Sequence, residues 1–168
     1  HVVTRRQRQM CIRDRINAIF SSFLNLTEKH KISLVLPLHP RTLKMKEALL
    51  DKVIQEKLDQ SPYIKIIPPA SFLDMIALEK KSTLIITDSG GVQKEAYFFQ
   101  KPCVILRPQT EWVEITRAKC ATIVDTDQDK ILNAVDHFMK AENLNFPPVF
   151  GDGKAAEFIL EEMLNQFG

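Results

Sequence analysis

Short apolar runs rich in β-branched residues alternate along this chain with stretches in which apolar residues return every three or four positions. Ile16, Ile19, Phe20, Phe23 and Leu24 stand at i, i+3, i+4, i+7 and i+8, one face of a helix beginning near Ile16. Ile32 to Leu38, closed by Pro37 and Pro40, reads as a buried strand. Leu50, Val53, Ile54 and Leu58 mark a second helix, with Lys44, Lys46, Glu47 and Asp51 as a solvated helix face. Tyr63 to Ile67 is a strand stopped by Pro68 and Pro69. Ser71 and Asp74 form a capping-box start for a helix to about Lys80.

The alternation continues to the end of the chain. Leu84 to Thr87 predicts a strand, Val92 to Phe99 a helix, and Cys103 to Leu106 a strand. A short segment over Thr110 to Ile115 leads to a strand at Ala121 to Val124. Ile131, Ala134, Val135 and Phe138 line a helix, and Asn143 to Pro148 is a connector. A closing helix carries Ala156, Ile159, Leu160 and Met163 on one face. Tyr63, Phe72 and the other aromatics read as core. Near-continuous apolar strands separated by helices specify an α/β fold, a Rossmann-like doubly wound parallel sheet covered on both faces.

Charge changes this picture at one end only. The 168 residues carry a net charge of +2, but residues 1–15 hold five arginines and one acid, Asp14. Taking these from the 23 basic and 21 acidic residues leaves 18 against 20, a net of −2. Residues 1–15 are therefore expected to be a basic tail outside the fold, disordered or non-native, and 16–168 the domain proper. That domain has no basic surplus for nucleic acid and no apolar stretch of membrane-spanning length, so neither partner is expected. Cys11, Cys103 and Cys120 are odd in number and fit no metal spacing, which points to a cytoplasmic location and no metal. Cys103, inside an apolar run, reads as a buried core thiol.

Ligands of such sheets bind at the carboxyl ends of strands, on loops leading into helices. Thr87-Asp88-Ser89-Gly90-Gly91-Val92-Gln93-Lys94-Glu95 is the richest such loop, with two of the five glycines adjacent. Gly90 and Gly91 allow a phosphate to approach the backbone, Ser89 adds a hydroxyl, and Glu95 lies one turn further in. A tight turn capped by Asp88 or Ser89 accounts for the same residues equally well. Arg107, ending the next strand before Thr110 and Glu111, suits a diphosphate. His39 and Arg41, beside Pro40, follow the first strand. No pair of acids is placed by the sequence for acid–base work, and there is no Ser-His-Asp set.

Taken in order, several segments resemble the carboxyl-terminal domain of non-hydrolysing UDP-N-acetylglucosamine 2-epimerases. They are His39-Pro40-Arg41, Thr87 through Ala96, Lys101-Pro102 with Arg107, Thr110-Glu111, and Phe150-Gly151-Asp152-Gly153-Lys154-Ala155-Ala156. The resemblance implies the carboxyl-terminal lobe of a two-lobed GT-B fold, with a UDP-sugar as partner and no cofactor. It implies an isomerase that eliminates UDP to leave a 2-acetamidoglucal and adds it back after proton delivery to the other face of C2. It assigns Ser89, Gly90 and Gly91 to the diphosphate, Glu95 to the ribose and Arg107 to the phosphates, with His39, Arg41, Thr110 and Glu111 as secondary candidates. The acids for C2 chemistry are expected in the amino-terminal lobe, so this chain alone is expected to be inactive. A homodimer of the full-length parent is left open.

Three departures from the family pattern stand out, and the first is that Thr4 to Arg15 stands where the family has a His-Arg motif. Trp112-Val113 stands where Arg-Pro is usual, and Lys94 replaces a common Glu, expected on the exposed side of its helix. Competing readings are a GT-B glycosyltransferase lobe, which would transfer the sugar, and a non-catalytic nucleotide-sugar-binding module. A two-component receiver would need paired acids near the amino terminus, which are lacking.

Overall fold

The computed structural model describes the backbone of residues 5–167 and the side chains of residues 11–167. Thirteen elements follow one another among them: α1 (Arg5–His30), β1 (Leu34–Pro37), α2 (Pro40–Leu49), α3 (Lys52–Gln60), β2 (Ile64–Ile67), α4 (Phe72–Lys81), β3 (Ile85–Thr87), α5 (Gly90–Phe98), β4 (Cys103–Ile105), α6 (Val113–Arg117), β5 (Ala121–Ile123), α7 (Gln128–Lys140) and α8 (Ala155–Phe167). Every strand pair is parallel. Hydrogen bonding divides the strands into a β1–β2 ladder and a β3–β4–β5 ladder. Ile86 and Leu106 pack against the cores of both, so the apolar interior runs across the division.

Strand β4 shows why the fold is doubly wound. Its three residues are fully enclosed, and successive side chains point to opposite faces. Cys103 and Ile105 join Ala96 and Tyr97 of α5 and Ile115 of α6 on one side. Val104 joins Leu26 of α1 and Ile131, Ala134, Val135 and Phe138 of α7 on the other. Each fully buried aliphatic side chain of this set contributes about 1.5–3 kcal/mol relative to exposure. Phe20, Phe23 and Leu24, from the predicted face of α1, join Leu50, Leu58 and Ile64 in a third core cluster.

Several expectations are corrected. Helix α1 begins at Arg5 rather than Ile16, and Arg15 reaches Asp125 at 2.6 Å. The run of arginines hid this helix because it leaves no apolar periodicity to read. Helix α2 precedes the segment at Leu50: His39 caps it through Nδ1, which accepts the Arg41 N–H at 3.2 Å, and Pro40 opens its first turn. Lys46 is buried rather than solvated. Phe72 is 70% exposed, not core. Helix α8 forms, yet its apolar residues, Ile159, Leu160 and Met163 among them, all remain exposed among the described residues. No helix among those residues is long and apolar enough to cross a membrane.

Buried polar groups are satisfied locally on α1, where Ser22 donates to the Ala18 carbonyl and Thr27 to that of Phe23. Glu79 differs. It is 4% exposed, and neither carboxyl oxygen has a partner. Burial, followed by the nearby Glu95 carboxylate, pushes its pKa from 4.5 up to about 7. A folded-state pKa above the unfolded one means the fold favours the protonated form. That contribution is complete below about pH 4.5 and is lost as pH rises through about 7. Thermal unfolding of wild type and Glu79→Gln should therefore diverge with pH. The variant is expected to gain on the order of 2–3 kcal/mol relative to wild type between about pH 5 and pH 8. Parallel stability curves for the two proteins would contradict the assignment.

Candidate functional site

The carboxyl ends of β3 and β4 lie side by side because the strands pair in parallel with Thr87 opposite Ile105. Beyond β3 the chain turns directly into α5. The turn is held from within by the Ser89 N–H, which donates to Thr87 Oγ1 at 3.0 Å. Ser89 occupies the N-cap position, yet its side chain makes no capping bond. The first-turn N–H groups of a helix have no intrahelical partner, and here no side chain caps them. They and the positive end of the helix dipole face the loop beyond β4.

The two glycines do not serve the tight turn that was one reading of this loop. Positive φ among the described glycines occurs at Gly151 and Gly153, whereas Gly90 and Gly91 are the first two residues of α5. Their value is clearance. A Cβ on Gly90 would stand 3.3 Å from Glu111 Oε2, and one on Gly91 would meet nothing nearer than Ser89 Oγ at 3.8 Å.

Arg107, two residues past β4, makes a two-pronged ion pair with Glu111: Nη1 donates to Oε2 at 3.0 Å and Nη2 lies 2.9 Å from Oε1. The Arg107 guanidinium holds the Glu111 carboxyl below its ordinary pKa. The protein thus sets its own carboxylate beside the amino terminus of α5, with an arginine behind it. Thr110 ties this loop to α5 by donating to Gln93 Oε1 at 2.5 Å, and Gln93 is fully buried. Trp112 adds a second tie, its indole N–H donating to the Gly90 carbonyl at 2.7 Å.

Ser89, Gly90, Gly91, Arg107, Thr110 and Glu111 are accordingly brought together, with Glu95 on the same helix. His39 and Arg41 sit at the start of α2, where the His39 ring is engaged as a cap. No hydrogen bond or ion pair among the described residues links either to the Gly90–Gly91 turn.

Two of the departures from the family pattern, at Lys94 and Trp112, meet in space. Lys94 is not on an open face: its Nζ lies 4.6 Å from the Trp112 ring centroid and 4.8 Å from that of Phe150. Phe150 in turn packs edge-on against Trp112 and Tyr97, and the Tyr97 hydroxyl donates to the Pro147 carbonyl. A cation–π contact thus joins the α5 loop to the segment before α8. Sequence reasoning missed it because its members come from three separate stretches. It also missed Glu79, which is buried on α4 with neither carboxyl oxygen partnered.

A sequence model of the UDP-N-acetylglucosamine 2-epimerase family matches residues 2–164. A UDP-N-acetylglucosamine 2-epimerase homolog of Methanococcus maripaludis is 38% identical over 155 residues, 92% of this chain and 41% of that protein. The UDP-2,3-diacetamido-2,3-dideoxy-D-glucuronate 2-epimerase of Pseudomonas aeruginosa is 37% identical over 138 residues, 82% of this chain and 36% of its own length. Among solved structures, the Methanocaldococcus jannaschii UDP-GlcNAc 2-epimerase in complex with UDP-GlcNAc and UDP superposes with a TM-score of 0.75 at 32% identity, over 90% of this chain and 41% of that one. The chain spans about two fifths of the length of these relatives. With its Rossmann-like α/β fold and the match along nearly its whole length, the chain belongs to the UDP-N-acetylglucosamine 2-epimerase family.

Proposed function

We propose that this chain is the UDP-binding part of a nucleotide-sugar 2-epimerase. The observation that carries the reading is the uncapped amino terminus of α5 at Gly90–Gly91, with Arg107 held beside it across the β3–β4 pair. A diphosphate fits that arrangement on charge and on hydrogen bonding. Free N–H groups and a positive dipole end meet its oxygens, and a planar guanidinium can engage two of them at once. Glu111, already drawn to this position, is the anion that a diphosphate displaces. Glu95, one turn inward, accepts hydrogen bonds from ribose hydroxyls. The solved M. jannaschii relative holds UDP-GlcNAc and UDP, which supports the nucleotide half of the assignment.

In the reaction proposed for the whole enzyme, UDP leaves C1 of the sugar as a proton leaves C2, giving a 2-acetamidoglucal. UDP then adds back after a proton returns to the opposite face of C2. This chain's share is to hold UDP through both halves, so that the leaving group stays in place to become the nucleophile. Charge building on the departing phosphate is met by Arg107 and the α5 terminus, the groups whose contacts strengthen most in the transition state.

Titrating the protein with UDP while following Trp112 fluorescence tests the reading. Saturable binding is expected, weakened about tenfold or more by Glu95→Ala and by Arg107→Ala, equivalent to about 1.4 kcal/mol each. Absence of UDP binding by folded protein at millimolar ligand, or wild-type affinity in both variants, would overturn it. Gly90→Ala offers an independent check. Helix propensity favours alanine by roughly 0.5–1 kcal/mol, so the variant should fold at least as well. Its Cβ, however, pushes against Glu111 and narrows the phosphate approach, and UDP affinity is expected to fall severalfold. A Gly90→Ala variant that binds UDP like wild type would show that the diphosphate lies elsewhere.

A further inference from the structure

The two ends of the Gly90–Gly91 peptide group face different parts of the site. Its C=O accepts the Trp112 indole N–H at 2.7 Å. Its N–H, on Gly91, stands in the first turn of α5, where the Gln93 N–H, donating to the Ser89 carbonyl at 3.1 Å, begins the bonding of the helix. Among the described residues no acceptor is set against the Gly91 N–H, and Gly91 is exposed. The indole is held firmly in this contact. The Trp112 backbone N–H donates to Thr110 Oγ1 at 3.1 Å, and Thr110 donates in turn to the buried Gln93 at 2.5 Å. Phe150 stands edge-on to the ring, with centroids 5.6 Å apart, and the Lys94 ammonium lies 4.6 Å from the ring centroid.

Hydrogen bonds in series polarise one another. A donor on the Gly90 oxygen draws electrons through the amide toward that oxygen and leaves the Gly91 N–H the stronger donor. A cation over the indole face acts in the same direction, because it draws on the π electrons and makes the indole N–H more acidic. The pull therefore runs from Lys94 through Trp112 and the Gly90–Gly91 amide to an N–H open to an incoming phosphate oxygen. The contact also fixes the tilt of that amide, and with it the direction in which the Gly91 N–H points.

We propose that Trp112 is a positioning residue for the diphosphate: it aims and polarises the Gly91 N–H through the Gly90 carbonyl, and Lys94 strengthens it through the indole ring. The inference rests on the UDP site proposed above. Its effect is confined to the phosphate half of the ligand, because the ribose lies further in, toward Glu95. Lys94 acts here through the ring it covers rather than by direct attraction to the phosphates, and the two routes respond differently to removal of the indole N–H.

The test is calorimetric titration of the full chain with UDP and with 2′-deoxy-UDP. Trp112→Phe keeps an aromatic ring beside Lys94 and Phe150 but has no N–H. It is expected to weaken both ligands equally, by about threefold or more, and so to leave the preference between them as in wild type. Trp112 is the only tryptophan, so replacing tryptophan throughout by benzothienylalanine gives the same readout if the phenylalanine variant folds poorly. That residue carries sulfur in place of the indole N–H at nearly the same size. Lys94→Met is expected to weaken UDP binding about two- to threefold in the wild-type background and to cost little more in the Trp112→Phe background, whereas a direct attraction to phosphate would cost the same in both. Lys94→Arg, which keeps a charge over the ring, should bind like wild type. Wild-type UDP affinity in both tryptophan replacements, unequal weakening of the two ligands, or a Lys94→Met effect that is nil or the same in both backgrounds would overturn the proposal while leaving the UDP site standing. If the wild-type protein does not bind UDP, the UDP site itself is wrong and this inference falls with it.

Discussion

Parallel pairing of β3 with β4, Thr87 against Ile105, is the constraint on which the site depends. Parallel strands end on the same edge, so the loops that follow them are neighbours although Gly90 and Arg107 are far apart in the chain. The pairing is in turn held by β4, whose Cys103 and Ile105 are buried against α5 and α6 and whose Val104 is buried against α1 and α7. Shifting β4 by one residue would exchange its faces and dismantle both cores. The cost of that exchange is what fixes the Arg107–Glu111 pair beside the amino terminus of α5.

On this frame the proposed site has its charges already in place. The uncapped α5 terminus attracts negative charge, and the chain supplies one in Glu111, itself clasped by Arg107. Trp112 and Thr110 stitch the β4 loop to α5 at Gly90 and Gln93, so the cationic and N–H donors keep their separation. Lys94, covered by Trp112 and Phe150, extends the same stitching to the segment leading into α8. Binding of a diphosphate at the proposed site would need little reorganisation beyond the release of Glu111.

Much of this was legible in the sequence because it follows from local rules. The β-branched runs at Ile85–Thr87 and Cys103–Ile105 mark strands whatever their neighbours, and Gly-Gly after a strand marks the start of a helix. Ser71 caps α4 as its spacing to Asp74 implies, accepting the Asp74 N–H. What escaped the sequence depends on contacts between distant stretches. Glu79 lies between Leu78 and Lys80 on an amphipathic helix and looks like a solvated acid until α5 covers it. Lys94 looks exposed until Phe150 and Trp112 fold over it. The start of α1 was misplaced because its arginines interrupt the apolar period, while Arg15 finds its partner, Asp125, 110 residues away.

The central claim is that a diphosphate sits on the N–H groups opening α5, and the five glycines of this chain make it directly measurable. In protein labelled with nitrogen-15 at glycine alone, a saturating addition of UDP is expected to shift the amide resonances of Gly90 and Gly91 strongly. The amides of Gly151 and Gly153, in the loop before α8, should move little. Unmoved Gly90 and Gly91 signals in protein that demonstrably binds UDP would contradict the account.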